Sequence, residues 1–232
     1  MEGVPVNIVI FVGTPGAGKD TQADFLVREY GMTQVPSSQI IYKKFEEHGD
    51  DPIVKEQIER VKVGYLNAPE LTGEWIMEYV REQLPKGKKL VFSGSPRTVA
   101  EAQVELKGLD ELVGIQNIVV INLFLDEEEA RKRILNRRYC RAHKHSVPWT
   151  PEYRNVTVCP WDQSELYVRD LDDPKLLDKR FQEYHELTIP TIELLKKSGV
   201  PFFVIDGNQA IEAIHPEVAA IVERRTAPAP IG

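Results

Sequence analysis

The segment from Gly13 to Gln22 reads GTPGAGKDTQ and holds the residue types that bind phosphate. Its closely spaced glycines let backbone N–H groups turn inward toward phosphate oxygens. A lysine follows, and a helix beginning there would add the favourable end of its dipole. The alternative is a glycine-rich turn with an incidental lysine. The candidate phosphate-binding residues are Gly13, Gly16, Ala17, Gly18, Lys19, Asp20 and Thr21.

Four potential metal ligands lie in two short pairs later in the chain. Cys140 is followed at the third position by His143, and Cys159 stands in the same relation to Asp162. Sulfur, nitrogen and oxygen donors in two such pairs are typical of tetrahedral Zn²⁺. His145 is a competing histidine with less suitable spacing, and we expect it at the surface. The pattern predicts a structural zinc site that would brace a segment too small for a core of its own.

The chain's bulk properties limit the classes of protein to which it can belong. Its 232 residues, 42% hydrophobic and 28% charged, are sufficient for one large domain with a buried core. A net charge of −7 argues against a general nucleic-acid or anionic-membrane partner. We see neither a membrane-spanning apolar run nor a signal peptide. We therefore expect a cytoplasmic protein whose cysteines are reduced thiols or metal ligands. We also expect a monomer, although none of these properties determines the oligomeric state.

Apolar runs rich in β-branched residues alternate with helical patterns along the chain. The apolar runs predict a central strand buried on both faces at 6–12, buried strands at 90–93 and 202–205, and a further strand at 118–125. Helices are predicted at 19–30, 37–48, 51–63, 69–84, 98–107, 126–138, 173–198 and 210–224, with a bend near Pro190. Ser37 and Ser38, and Asp126 with Glu129, are the predicted N-terminal caps. The alternation predicts an α/β fold, a parallel sheet with helices on both faces.

Five segments, in chain order, resemble the motifs of adenylate kinases and related nucleoside monophosphate (NMP) kinases. GTPGAGKDTQ is similar to the family's phosphate-binding loop, or P-loop, and GSPRT at 94–98 to its acceptor-phosphate motif. RILNRR at 133–138 resembles the start of the family's lid, and RDLDDPKLLDKR at 169–180 has its two arginines around acidic residues. IDGN at 205–208 resembles the loop that contacts the ATP base.

This resemblance implies a P-loop NTPase-type parallel five-stranded sheet, with a helical NMP-binding insertion and a small lid subdomain. It divides the chain into core segments at 1–36, 68–136 and 170–232, an NMP-binding insertion at 37–67 and a lid at 137–169. In the family, the four lid positions hold either zinc or a metal-free hydrogen-bonded network. Both alternatives remain open for Cys140, His143, Cys159 and Asp162.

The implied activity is Mg²⁺-dependent, reversible transfer of the γ-phosphoryl group of ATP to an NMP, usually AMP. Such a reaction needs positioned positive charge, which guanidinium groups supply in bidentate contacts with phosphate. Arg97 should hold the acceptor phosphate, Arg133 and Arg137 the donor phosphates, and Arg169 and Arg180 the transferred group. The residues implied to bind the acceptor are Ser37, Tyr42, Asn67, Gly94, Arg97, Glu101, Arg169 and Arg180. ATP-binding residues beyond the P-loop are Arg137 and Gln209.

Several positions depart from the family pattern. Tyr42 stands where an arginine usually grips the acceptor phosphate, and Glu101 where a glutamine reads adenine. A carboxylate only accepts hydrogen bonds, so either Glu101 favours a donor-rich base edge or Gln103 reads the base. These departures leave two alternatives open: a kinase for UMP or CMP, and a non-catalytic nucleotide-binding relative.

Two further departures from the family pattern concern residues expected near Mg²⁺. Ser93 stands where the family has an aspartate that orients waters on Mg²⁺, and Asp20 adds a carboxylate after the P-loop lysine, where a hydroxyl residue meets Mg²⁺ in the usual P-loop pattern. One hypothesis is that Asp20 takes over the Mg²⁺-facing role. The other is that Asp20 is an exposed residue of the first helical turn, stabilised there by the helix dipole.

Overall fold

The strands in the described part of the protein form two separate sheets. The computed structural model describes residues 6–62, 66–143, 145–169 and 172–226. Its strands are β1 (Ile8–Gly13), β2 (Thr33–Gln34), β3 (Leu90–Phe92), β4 (Ile118–Phe124), β5 (Arg138–Cys140), β6 (Ser146–Val147), β7 (Leu166–Tyr167) and β8 (Phe202–Asp206). Five of them form a parallel sheet in the order β2-β3-β1-β4-β8, and the other three form a small antiparallel sheet in the order β6-β5-β7.

Helices connect the parallel strands. They are α1 (Lys19–Tyr30), α2 (Ser37–Glu47), α3 (Pro52–Lys62), α4 (Pro69–Gln83), α5 (Val99–Val113), α6 (Glu127–Asn136), α7 (Pro174–Glu183), α8 (Ile189–Lys197) and α9 (Ile211–Thr226). A π-helical turn at Tyr184–Thr188 joins α7 to α8 just before Pro190, where the sequence predicts a bend. Within the described residues, no helix is both long enough and apolar enough to cross a membrane.

The central strand β1 explains why helices cover both faces of the large sheet. All six of its residues are buried. Ile8, Ile10 and Val12 belong to a core shared with α4, α5 and α8. The alternate residues Val9 and Phe11 belong to a second core shared with α1, α6, α7 and α9. The predicted fold class, a five-stranded parallel sheet with helices around it, is confirmed.

Both predicted N-terminal caps differ from what the structure shows. Pro36 is the N-cap of α2, and Ser37 lies inside the helix with its side chain buried. Asp126 occupies the N-cap of α6, but its side chain makes no capping bond. Glu129 pairs instead with Arg133, Oε1 to Nε, at 3.0 Å. Ser37 is therefore buried and Glu129 forms an ion pair within α6, in place of the capping bonds that the pattern predicts.

Candidate active site

The loop between β1 and α1 requires glycine at specific positions. Gly13, Gly16 and Gly18 have φ values of 122°, 83° and 91°, in the left-handed region. A Cβ on Gly13 would also lie 2.1 Å from the carbonyl oxygen of Leu123, and one on Gly16 would lie 2.9 Å from Ile134 Cγ1. Strain and close approach therefore both exclude larger residues from the first two positions.

Lys19 is held by the loop that precedes it. Its Nζ donates to the carbonyl oxygens of Gly13 and Thr14, at 2.9 Å each. Burial lowers the pKa of Lys19 to about 8, while the neighbouring Asp20 charge opposes that shift. Three arginine charges lower this pKa further, those of Arg97, Arg180 and Arg137. These cations therefore act on a common region around the P-loop.

The lowered pKa of Lys19 predicts that ATP binding takes up protons at alkaline pH. Negative phosphates beside the ammonium group would raise its pKa, so a lysine partly neutral in the free enzyme becomes protonated. We expect an uptake of roughly half a proton near pH 8 and almost none near pH 6.5. Calorimetry of ATP binding in buffers with different ionisation enthalpies measures this uptake. An uptake that persists in Lys19→Met would contradict the assignment.

Arg97 lies on the loop that follows β3. Its Nε donates to the carbonyl oxygen of Gly94 at 2.8 Å, and its own carbonyl accepts from Thr188 Oγ1 at 3.1 Å. Gly94 packs closely on α2, since a Cβ there would lie 3.4 Å from Ser37 Oγ. The cleft between this loop and the P-loop is lined in part by Gly13, Pro15, Lys19, Gly94, Arg97 and Arg180.

Asp172 joins three of the predicted arginines. Its fully buried carboxylate accepts from Arg137 Nη2 at 3.0 and 3.1 Å, from Arg180 Nη1 at 3.1 Å and from Arg169 Nη2 at 3.5 Å. The guanidinium groups of Arg137 and Arg169 also lie over the ring of Tyr139, 5.0 and 4.1 Å from its centre. The acidic residues between Arg169 and Arg180 were visible in the sequence, but it gave no sign that one of them would gather the arginines.

Arg133, on α6, does not bond to Asp172. It contacts the loop between β8 and α9. Its Nη1 donates to the carbonyl oxygen of Gly207 at 2.8 Å, and its Nη2 to that of Asn208 at 3.4 Å. Gln209, in the same loop, donates to the carbonyl oxygen of Asp206 at 3.3 Å. The expectation that Arg133 reaches the donor phosphates gains no support from this placement. Arg133 instead fastens the loop that resembles the ATP-base contact.

The remaining predicted acceptor residues have different surroundings. Tyr42 lies on α2 with 57% of its surface exposed. Asn67 is buried and donates from Nδ2 to Thr72 Oγ1 at 3.1 Å. Glu101 is also buried, and its Oε2 accepts the backbone N–H of Arg97 at 2.8 Å. The carboxylate of Glu101 is therefore bonded to the loop that follows β3 and carries Arg97.

The two positions in the Mg²⁺ hypothesis differ in exposure. Asp20 is exposed in the first turn of α1, next to the half-buried Thr21 and three residues after the buried Ala17. Ser93 is 8% exposed, and its Oγ accepts from Gln34 Nε2 at 3.0 Å. Ser93 also lines the cleft that contains Lys19.

Four side chains that could bind a metal ion lie close together in the small antiparallel sheet and its loops. One ligand atom from each of Cys140, His145, Cys159 and Asp162 lies within 4.8 Å of the others. The group contains His145 where the sequence predicted His143. The backbone N–H of Cys140 donates to the carbonyl oxygen of His145 at 3.1 Å, and this turn returns His145 toward Cys140.

His143 contacts this group from outside. Its Nδ1 lies 2.7 Å from Asp162 Oδ2, although 66% of its side chain is exposed. That hydrogen bond is the main reason that the pKa of Asp162 lies well below its usual range, and Ser164 adds to the effect. Two thiols, an imidazole and an ionised carboxylate suit tetrahedral Zn²⁺, so the donor set fits the metal.

A glycine loop after the central strand of a parallel sheet, beside an arginine-lined cleft, defines a P-loop nucleotide-binding protein. A sequence profile described as adenylate kinase matches residues 11–200 of the chain. The chain belongs to the adenylate kinase family, as its five motifs predict. It is 32% identical over 225 residues to the adenylate kinase of Archaeoglobus fulgidus, covering 93% of this chain and 98% of that relative. It is 28% identical over 226 residues to that of Thermodesulfovibrio yellowstonii, covering 94% and 99%.

Proposed function

We propose that the protein catalyses the reversible transfer of the γ-phosphoryl group of ATP to AMP, giving two molecules of ADP. The observation that carries this proposal is the cleft beside the P-loop, which is lined by Lys19, Arg97 and Arg180. Arg137 lies beside Arg180, since both donate to Asp172. A site that only binds nucleotide has little need of so many cations. Membership of the adenylate kinase family supports AMP as the acceptor.

In the proposed mechanism, the protein supplies position and positive charge. The acceptor phosphate oxygen is already anionic, so no general base is required. Arg97 would hold the acceptor phosphate, while Lys19 and Arg137 stabilise the donor phosphates. Arg169 and Arg180 would turn from Asp172 to the transferred group, and closure of the lid would exclude water. Mg²⁺ bound with ATP would neutralise charge on the donor phosphates.

An assay of ADP formation with five acceptors tests the proposal. The purified protein is given Mg²⁺, ATP and, in turn, AMP, CMP, UMP, GMP or dTMP. We expect turnover with AMP at a higher kcat/KM than with the other four. A preference for UMP or CMP would establish the alternative acceptor. Tight ATP binding without turnover on any acceptor would establish a non-catalytic nucleotide-binding protein.

We also propose that Asp20 faces the magnesium ion. Its position directly after Lys19, in the first turn of α1, supports this role, as does the absence of a carboxylate at Ser93. Asp20 would hold the ion through its waters, and Ser93 would contribute at most a neutral hydroxyl.

Replacing Asp20 with asparagine tests this role, because the substitution keeps the shape of the side chain and removes its charge. We expect the affinity of the ATP-bound enzyme for Mn²⁺, measured by electron paramagnetic resonance, to fall about tenfold, as when a supporting carboxylate is lost. Asp24→Asn, one turn along the same helix, is the matched control. Adding Ser93→Asp to the Asp20 variant should restore part of the affinity. Unchanged Mn²⁺ affinity in Asp20→Asn would favour the exposed, dipole-stabilised alternative.

We further propose that Cys140, His145, Cys159 and Asp162 bind a structural zinc ion. The closeness of the four donor atoms supports this proposal. The small sheet has few buried apolar residues, so a metal would supply stability that packing does not. The alternative is a metal-free network, in which the hydrogen bonds of Asp162 to His143 and Ser164 brace the same loops.

Zinc analysis of paired histidine variants distinguishes the two alternatives. We expect about one zinc per chain in the unaltered protein, a lower Tm after chelation, and a loss of zinc affinity in His145→Ala. His143→Ala should lose less, because that residue only supports Asp162, although loss of a supporting partner alone can cost roughly tenfold. A protein without bound zinc, whose Tm does not respond to chelator, would favour the network.

A further inference from the structure

Two buried glutamates lie beneath the loop that carries Arg97, and the proposed mechanism uses neither of them. Glu101 is 3% exposed and Glu105 is fully buried, one helical turn apart on α5. Ser95, from the acceptor-phosphate loop, is 2% exposed and lies against both. Buried carboxyl groups are costly unless they are paired or protonated, so this cluster requires an explanation.

The Ser95 hydroxyl contacts a carboxyl group on each side. Its Oγ lies 3.3 Å from Glu101 Oε2 and is also hydrogen-bonded to Glu105 Oε1. One hydroxyl has one proton, so it can donate to only one of the two glutamates. The other contact needs a proton on the second carboxyl group. Two carboxyl groups so close together also cannot both ionise readily.

Glu105 is the better site for that extra proton. Burial raises its pKa well above the ordinary value, and the charge of Glu101 adds to the shift. Burial also raises the pKa of Glu101, but the Arg97 backbone N–H and the Arg97 charge oppose that shift. The helices packed on α5 contribute Gly73 and Met77 from α4 and apolar residues from α8.

The protons can then be assigned along one chain of hydrogen bonds. Glu105 donates to Ser95 Oγ, the Ser95 hydroxyl donates to Glu101 Oε2, and the same Oε2 accepts the backbone N–H of Arg97. Thr98 caps α5 by accepting the N–H of Glu101 at 3.2 Å. The chain therefore links the buried face of α5 to the backbone of Arg97.

We propose that Glu105, Ser95 and Glu101 are positioning residues that hold the Arg97 loop in its acceptor-binding shape through one shared proton. In this chain, Glu101 fixes the backbone of Arg97 and does not read the acceptor base. The inference rests on the proposed role of Arg97 in binding the acceptor phosphate.

Matched variants separate this role from a merely structural one. In Glu105→Gln, the amide can still donate to Ser95, so the KM for AMP should remain near that of the unaltered enzyme. Ser95→Ala and Glu105→Leu break the chain, and each should raise the KM for AMP roughly tenfold while the KM for ATP changes less than about twofold. Glu111→Gln, an exposed glutamate on the same helix, is the control. Tm is measured for every variant.

The preference among acceptor bases tests the claim that Glu101 does not read the base. Glu101→Gln keeps an oxygen that can accept from Arg97 and Ser95, so the ranking of AMP, CMP, UMP and GMP should not change. A changed ranking would show that the side chain at position 101 reaches the base and would overturn that claim. The shared proton is tested by infrared difference spectroscopy, in which Glu105→Gln should remove a carboxylic-acid carbonyl band. Absence of that band from the unaltered protein would overturn the proton assignment.

The KM values of the variants also decide whether the three residues position the Arg97 loop. An unchanged KM for AMP in both Ser95→Ala and Glu105→Leu would overturn the positioning role. So would parallel increases in the KM for AMP and ATP that follow the loss of Tm. Failure of the proposed function would appear separately, as absence of ADP formation by the unaltered protein. AMP affinity from calorimetry would then replace KM, and the infrared band would still report the proton.

Discussion

Replacing Lys19 with methionine is expected to lower kcat by about 100- to 1,000-fold, the usual cost of removing one positioned charge that stabilises a transition state. Methionine has a similar length and no charge. In the structure, Lys19 Nζ is held by two loop carbonyl oxygens, of Gly13 and Thr14, so the ammonium group is positioned before the nucleotide arrives. The substitution should therefore act more on kcat than on the KM for ATP, because the charge is needed most as the phosphoryl group moves.

Steady-state kinetics with ATP and AMP varied separately measure this effect. Lys107→Met, at an exposed position on α5, is the matched control and should behave like the unaltered enzyme. Calorimetry should still detect ATP binding to Lys19→Met, because the glycine loop remains. If the KM for ATP rose while kcat stayed constant, Lys19 would serve binding alone and the proposed role in transfer would be wrong.

The sequence predicted the parallel sheet well because its strands are continuous apolar runs. One exception is β2, where Thr33 and Gln34 are half-buried and too few to form a pattern. The other is β8, which was predicted to be buried but lies at the edge of the sheet with Val204 exposed. The predicted end of α5 at Lys107 was also wrong, because the helix continues to Val113. Gly108 resembles a helix stop, but a Cβ there would lie 2.7 Å from Met77 Cε, so this glycine permits close packing of α4 on α5.

The candidate site was predicted less completely, because its geometry depends on contacts between distant segments. Local spacing identified Lys19, and the resemblance to the kinase family identified the arginines, which taken singly could be solvated surface charges. Spacing favoured His143, whereas His145 lies in the group of four ligand atoms, because the position of His145 depends on how a turn folds back toward Cys140. It also gave no sign that Glu101 bonds the backbone of Arg97, since no pattern indicates the direction of a buried side chain.

Replacing Asp172 with asparagine is expected to destabilise the free protein by about 2–4 kcal/mol, which is roughly 5–10 °C in Tm. The substitution leaves the charges of Arg137, Arg169 and Arg180 together without their shared carboxylate. The cost lies toward the lower part of the range for breaking a buried pair, since these arginine side chains are 17%, 34% and 34% exposed. Asp173→Asn, at the exposed neighbouring position, is the matched control.

Nucleotide should reduce this loss of stability, because ATP phosphates supply the negative charge that Asp172 provides in the free protein. ATP and Asp172 compete for the same guanidinium groups, so removing the carboxylate should increase the rise in Tm that saturating ATP produces. Differential scanning calorimetry with and without ATP measures both quantities. An equal loss of Tm in the two conditions would mean that Asp172 only supports the fold. A larger ATP-induced rise would identify it as the carboxylate that holds the arginines until the phosphates replace it.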